Sequence, residues 1–180
     1  MRTLVIHPHD TSTHFLKPIY ENIPNKTVIT GGLFVDEVNK LIYNHDQIIM
    51  LGHGSPNGLF SVGRFQYGYV IGEDQVELLQ DKECIFIWCH ADQFVKQHGL
   101  KGLYSGMFVS EVGEALMYKL KGDKKLIDES NNTFAFMLGF IIGVNKPLPE
   151  VYEQIKKDYG WLAERNEIAK YNHERLALAE

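Results

Sequence analysis

Cysteine is nearly absent from this chain: 180 residues include two, Cys84 and Cys89, and proline is scarce at six. The two cysteines lie on one apolar run with an odd spacing, so a strand points them to opposite faces, and no disulfide framework is expected. Basic charge is also in short supply. Eighteen Lys and Arg stand against 23 Asp and Glu, a formal net charge of −5, which argues against a nucleic-acid-binding basic face. No apolar run approaches the roughly 20 residues that span a bilayer. The opening residues Met1 to Ile6 run straight into His7-Pro8-His9-Asp10, without the long hydrophobic stretch and small-residue cleavage site of a secretory signal. A cytoplasmic location is therefore expected.

What the chain does have is material for a core: 44% of its residues are hydrophobic and 12% aromatic. Short β-rich runs alternate with helical patterns through the first two thirds, which predicts an α/β, three-layer sandwich with a mostly parallel central sheet flanked by helices. Strands are predicted over residues 3–7, 26–30, 47–51, 84–89 and 102–108. Helices are predicted over 13–23, 36–43, 73–82 and 90–96, and from Ser110 or Glu111 to about 122. Glycines at 58, 63, 68 and 72 punctuate two aromatic or β-branched runs and suggest a hairpin outside the main sheet. Residues 133–144 read as a buried helix, and 150–179 as a long helical pattern with a break at Gly160. A single domain is expected over 1–180, with its core at about 3–120 and a helical part at about 125–180. Tyr152, Tyr159 and Trp161 read as packing residues, and Lys119, Lys121, Lys124 and Lys125 as a solvated helix end.

In an open α/β sheet, ligands gather beyond the carboxyl ends of the strands. His53 follows the third strand between Gly52 and Gly54, and Cys89 ends the fourth. Were those strands neighbours, about 4.8 Å apart, the two side chains would share a crevice. A thiol needs a base to become a nucleophile, and an imidazole exchanges protons near neutral pH. The amides of Gly54 and Cys89 could then face a developing oxyanion. Taken singly, each residue has a plain explanation: Cys89 as a small buried hydrophobe, Gly-His-Gly as a turn. Their joint placement at successive strand ends favours chemistry.

The run Ile48-Ile49-Met50-Leu51-Gly52-His53-Gly54, the strand Ile85-Phe86-Ile87-Trp88-Cys89 and the stretch from Gly102 to Glu111 together resemble the core of caspase-like cysteine peptidases. That group holds caspases, gingipains, clostripain-type enzymes and CHAT domains, and the similarity covers about residues 3 to 120 in element order. The resemblance implies a cysteine endopeptidase with His53 as general base and acid, Cys89 as nucleophile, and the amides of Gly54 and Cys89 as oxyanion hole. Specificity in that family is set by the loops after the first and fifth strands and by residues beside the nucleophile, which here carry Asp10, Ser110, Glu111 and Asp92. An acidic pocket would select Lys or Arg at the cleavage point. Helix capping by Asp10 and a first-turn charge at Glu111 are the plain alternatives. The resemblance calls for no metal or organic cofactor. It implies a protein or peptide substrate, leaves a homodimer or partner protein open, and involves neither nucleic acid nor membrane.

Two rival readings use the same residues differently. His7, His9 and Asp10, with His14, His53 and His90 in reach, could serve a metal-dependent hydrolase, although that leaves Cys89 without a role. Alternatively the chain is a catalytically inactive caspase-like interaction module, with the hairpin and the C-terminal helix as its surfaces.

Overall fold

Alternate residues of the apolar runs face opposite ways in the computed structural model, which describes residues 1–180, and both faces of the resulting sheet are covered. The chain begins with β1 (Thr3–Ile6), a 3₁₀ turn (Thr11–Leu16), α1 (Pro18–Glu21), β2 (Lys26–Ile29), α2 (Val35–Tyr43) and β3 (Gln47–Leu51). A small antiparallel sheet follows, of β4 (Gly54–Ser55), β5 (Gly58–Phe60) and β6 (Tyr69–Ile71). Next come a 3₁₀ turn (Glu73–Gln75), α3 (Val76–Leu79), β7 (Glu83–Ile87), α4 (Ala91–His98) and β8 (Gly102–Ser105). The remainder is α5 (Val112–Met117), α6 (Lys124–Gly143), α7 (Leu148–Ala163), α8 (Glu167–Glu174) and β9 (Leu176–Ala179).

The main sheet has the order β2-β1-β3-β7-β8-β9, parallel except for β9, which runs antiparallel to β8. Val5, Ile49, Leu51, Ile85, Ile87 and Leu103 join one core of 23 residues with Phe134, Leu138, Ile155 and Tyr159 from α6 and α7. Their sheet neighbours Leu4, Ile6, Ile48, Met50, Cys84, Phe86 and Trp88 join a second core of 19 residues with Val38 and Ile42 from α2 and Phe94 from α4. Strands apolar on both sides are what a sheet covered by helices on both faces requires. The α/β sandwich expected from the sequence is the fold observed.

Several elements differ from the sequence-based expectation, each for a local reason. The helix predicted over 13–23 is a 3₁₀ turn followed by the single turn α1, because Pro18 has no N–H to continue an α-helical ladder. The third predicted helix is likewise a 3₁₀ turn plus the short α3. The predicted hairpin is a three-stranded sheet and does lie outside the main sheet. The helix predicted over 133–144 begins at Lys124, where Asp123 accepts from the Leu126 N–H, and Phe136 and Phe140 on its outer side are 67% exposed rather than buried. Gly139 sits where α1 crosses α6: a Cβ there would lie 2.1 Å from the Pro18 carbonyl oxygen.

The C-terminal pattern is divided at Asn166 rather than at Gly160. The Asn166 side chain accepts from the Ile168 and Ala169 N–H groups and donates to the Leu126 carbonyl, so it both starts α8 and ties it to α6. Residues 176–179 then leave helical form and pair with β8, so the sheet draws its last strand from the part expected to be helical. No helix is long and apolar enough to cross a membrane.

His7, just past β1, is 3% exposed and makes an acid-sensitive joint under the first loop. Thr13 gives its hydroxyl proton to the Asp10 carbonyl, so His7 Nε2 donates to Thr13 Oγ1 at 3.1 Å, and Nδ1 accepts from the Tyr20 hydroxyl at 3.1 Å. Burial first, with His14 and Lys17 adding repulsion, pulls its pKa from 6.5 down to about 4. Between those values the unfolded chain binds the extra proton, so the stabilisation is full above pH 6.5 and is lost as pH falls through 4. Urea titrations at pH 7 and pH 4.5 are expected to show an acid loss about 2–3 kcal/mol larger in the wild type than in His7→Gln. Equal losses would remove His7 as the cause.

Candidate active site

The register of the main sheet brings His53 and Cys89 to the same end of two neighbouring strands. Gln47 pairs with Glu83 and Leu51 with Ile87, partners 36 positions apart in sequence, and Gly52 N–H continues the ladder to the Ile87 carbonyl at 3.1 Å. His53 and Cys89 are each the second residue beyond the Leu51–Ile87 pair and keep the same offset. Both lie just beyond the strands, and both line one narrow cleft of about 20 Å³ walled by Phe15, Trp88 and Phe108. That volume admits about one water. Cys84, on the opposite face, is fully buried in the second core, where burial raises its pKa to about 12.

A chain of hydrogen bonds orients His53. Asp10 caps the first 3₁₀ turn, and its Oδ1 accepts from both the Ser12 N–H at 2.9 Å and the Ser12 hydroxyl at 2.7 Å. The Ser12 hydroxyl and its N–H, in that order, hold the Asp10 carboxyl below the usual range. Ser12 Oγ also lies 2.7 Å from His53 Nε2. Since the single hydroxyl proton goes to Asp10, Nε2 must carry the ring proton and donate to Oγ. Nδ1 is left as the proton-accepting nitrogen, with no partner in the protein. An imidazole fixed in one tautomer by a carboxylate-ended relay is the arrangement a general base requires.

The thiol is the less ready partner. Cys89 Sγ lies 3.5 Å from the Phe108 carbonyl oxygen, which accepts the S–H, and burial pushes its pKa up to about 11, with the Glu114 and Glu111 carboxylates adding to the rise. At neutral pH the resting group is a thiol, so attack on a substrate needs proton removal in the same step rather than a standing thiolate.

The two amides expected to serve an oxyanion are the N–H groups of Gly54 and Cys89. Phe60 N–H donates to the His53 carbonyl, so the Gly54–Leu59 pair is a non-hydrogen-bonded pair of the small ladder and the Gly54 N–H points away from β5. The Cys89 N–H, in the turn between β7 and α4, donates to no carbonyl or side chain. Gly54 admits no side chain: a Cβ would lie 2.1 Å from the Trp88 ring. His90, next to Cys89, takes a left-handed φ of 66° as N-cap of α4 and donates its N–H to the Gly106 carbonyl, which sets the direction of the nucleophile turn.

The acidic residues expected to read the substrate are distributed unevenly. Asp10 is occupied by Ser12, and Asp92 on α4 forms a surface pair with Lys96 at 3.4 Å. Ser110 and Glu111 line a separate pocket of about 370 Å³ that shares Phe15 and Ser110 with the cleft. His7, His9 and Asp10 do not converge: both His7 nitrogens have protein partners, and no three His, Cys, Asp or Glu side chains are placed to hold a metal ion. No role is assigned to Ser12 or Phe108 from the sequence alone. The Asp10-x-Ser12 spacing is a capping signal that also serves the relay, whereas nothing in the local sequence around Phe108 marks it. No protein-family model, curated protein or solved structure matches the chain.

Proposed function

We propose that the chain is a cysteine endopeptidase in which Cys89 attacks the peptide carbonyl. The observation that carries this reading is the placement of His53 and Cys89 two residues past the paired ends of the adjacent parallel strands β3 and β7, lining one cleft, with His53 held in a single tautomer by Ser12 and Asp10. His53 Nδ1 takes the thiol proton as sulfur bonds to the carbonyl carbon, and the Gly54 and Cys89 amides stabilise the oxyanion. The imidazolium then gives that proton to the leaving amine as the C–N bond breaks. Water, deprotonated by His53, hydrolyses the thioester, releasing the carboxylic acid and restoring the thiol. The resemblance to caspase-like peptidases supports the same roles for the same residues. The substrate is a protein or peptide, and two unpaired thiols suit a cytoplasmic, reducing setting.

The test is labelling of Cys89 by a peptide chloromethyl ketone beside iodoacetamide, in wild type and His53→Ala. With a resting pKa of about 11, the iodoacetamide rate is expected to climb with pH up to that value and to stay below that of an ordinary thiol at pH 7. The peptide reagent, which occupies the substrate's place, should label faster, and His53→Ala should slow it by about 10²-fold or more. Equal rates for both reagents, unchanged by His53→Ala, would leave the inactive interaction module as the better reading.

A further inference from the structure

Beyond Ser110 and Glu111 the chain makes a projecting turn in which apolar and basic side chains are mixed. Leu116 and Met117 at the end of α5 are 70% and 78% exposed, and Val112, one helical turn before Leu116, is 42% exposed. Four successive residues, Leu116 to Lys119, are all exposed, so this stretch stands out from the surface rather than lying along it. Both of its ends are fixed. The Leu120 N–H donates to the Ala115 carbonyl at 2.9 Å and the Lys119 N–H to the Leu116 carbonyl at 3.1 Å, which closes α5 in a Schellman turn. Gly122 then lies so close to Ile168 that a Cβ would come within 2.5 Å of its side chain.

The left-handed position that ends such a turn is usually glycine, yet Lys119 holds it here with a φ of 57°. A side chain at that angle carries a steric cost that glycine avoids, so the needs of the fold do not explain a lysine. Charge does explain it. Over residues 116–125, Lys119, Lys121, Lys124 and Lys125 stand against Asp123 alone, in a chain whose net charge is −5. Lys124 is paired with Asp128 at 2.6 Å, whereas Lys119, Lys121 and Lys125 form no ion pair.

A partner for this turn has to take up apolar side chains and neutralise lysines together, and to take them from a convex tip. The phosphates of a nucleic acid would pair with the lysines and leave Leu116 and Met117 in water. An anionic bilayer meets both needs: its headgroup charge attracts the lysines, and the boundary of its acyl chains accepts leucine and methionine. Contact of this kind needs no membrane-spanning helix, and the chain has none. We propose that residues 112–125 are a docking tip for anionic lipid membranes, with Leu116 and Met117 entering the lipid and Lys119, Lys121 and Lys125 on the headgroups. This assignment replaces the solvated helix end expected of these lysines and the expected lack of a membrane partner, and it is independent of the peptidase reading. Ser110, which lines the Cys89 cleft, lies two residues before α5, so docking holds the cleft beside the membrane.

The test is co-sedimentation of the full chain with mixed phosphatidylcholine and phosphatidylserine vesicles, beside vesicles of phosphatidylcholine alone. Wild type should bind the mixed vesicles and be released at about 0.5 M salt. Lys119→Gly removes the charge and the strain together. It should weaken vesicle binding about fivefold while raising Tm by about 2 °C, a pairing that a merely structural lysine would not give. Leu116→Ser combined with Met117→Ser should weaken binding by about tenfold or more, with circular dichroism confirming the fold. Absence of binding to the mixed vesicles, or equal binding to both kinds, overturns the proposal. Vesicle binding unchanged by Lys119→Gly or by the serine substitutions also overturns it. Binding to single-stranded DNA as tight as to vesicles, and indifferent to the serine substitutions, makes the turn a site for polyanions and overturns it. Self-association that the serine substitutions abolish, without vesicle binding, gives the tip to a second copy of the chain and overturns it too.

Discussion

Cys89→Ala is expected to reduce peptide hydrolysis by about 10⁴-fold or more while leaving the fold intact. No neighbouring group can replace the thiol. The two hydroxyls that line the cleft are both engaged: Thr13 donates to the Asp10 carbonyl, and Ser110 donates to the Glu114 carboxylate at 3.2 Å. His53→Ala should fall nearly as far, because a thiol whose pKa is about 11 gains little without a base. The double variant should be no worse than the poorer single one, as expected of residues that act as a unit. The check is steady-state cleavage of a fluorogenic peptide, with circular dichroism and a urea midpoint confirming the fold of each variant. Residual activity within tenfold of wild type in Cys89→Ala would mean that hydrolysis proceeds by another route.

Asn172→Leu is expected to cost about 3–5 kcal/mol, a large loss for one polar substitution. Asn172 is fully buried, and its side chain brackets one residue: Oδ1 accepts from the Val109 N–H at 2.7 Å, and Nδ2 donates to the Val109 carbonyl at 2.9 Å. Val109 is itself 0% exposed, so leucine would leave a donor and an acceptor without partners, each costing about 1–3 kcal/mol. A domain with a total stability of about 5–15 kcal/mol would keep little margin. Thermal melts should show Tm falling by about 10 °C or more. A fall of under about 3 °C would show that water satisfies Val109 instead. Because Phe108 and Ser110 flank Val109, the same substitution should also loosen the acceptor of the Cys89 thiol and the Ser110 wall of the cleft.

Much of the fold is legible in the sequence because its strands are apolar in unbroken runs and their ends are marked by glycine or polar residues. Gly52-His53-Gly54 and the run ending at Cys89 are visible for that reason, and the constant register between β3 and β7 makes their spacing meaningful. The last strand is not legible. Leu176-Ala177-Leu178-Ala179 has neither β-branched nor aromatic residues and follows a helix, and its strand form comes from pairing with β8 more than 70 residues earlier. Asp10 shows a different limit. Its charge and position after β1 fit a substrate contact and a helix cap equally well, and only the Ser12–His53 distance shows which groups it serves.

The turn that carries the nucleophile is held from a distant part of the chain. His90 donates to the Gly106 carbonyl, and the Gly106 N–H in turn donates to the Arg175 carbonyl at 2.8 Å, just before β9. During synthesis at about 5–20 residues per second, Cys89 is added on the order of ten seconds before Arg175. Through that interval the nascent chain carries its thiol and imidazole but lacks the strand that braces the turn between them. Translation therefore separates the appearance of the reactive groups from their alignment, and a chain halted before Arg175 would hold both residues in an unbraced site.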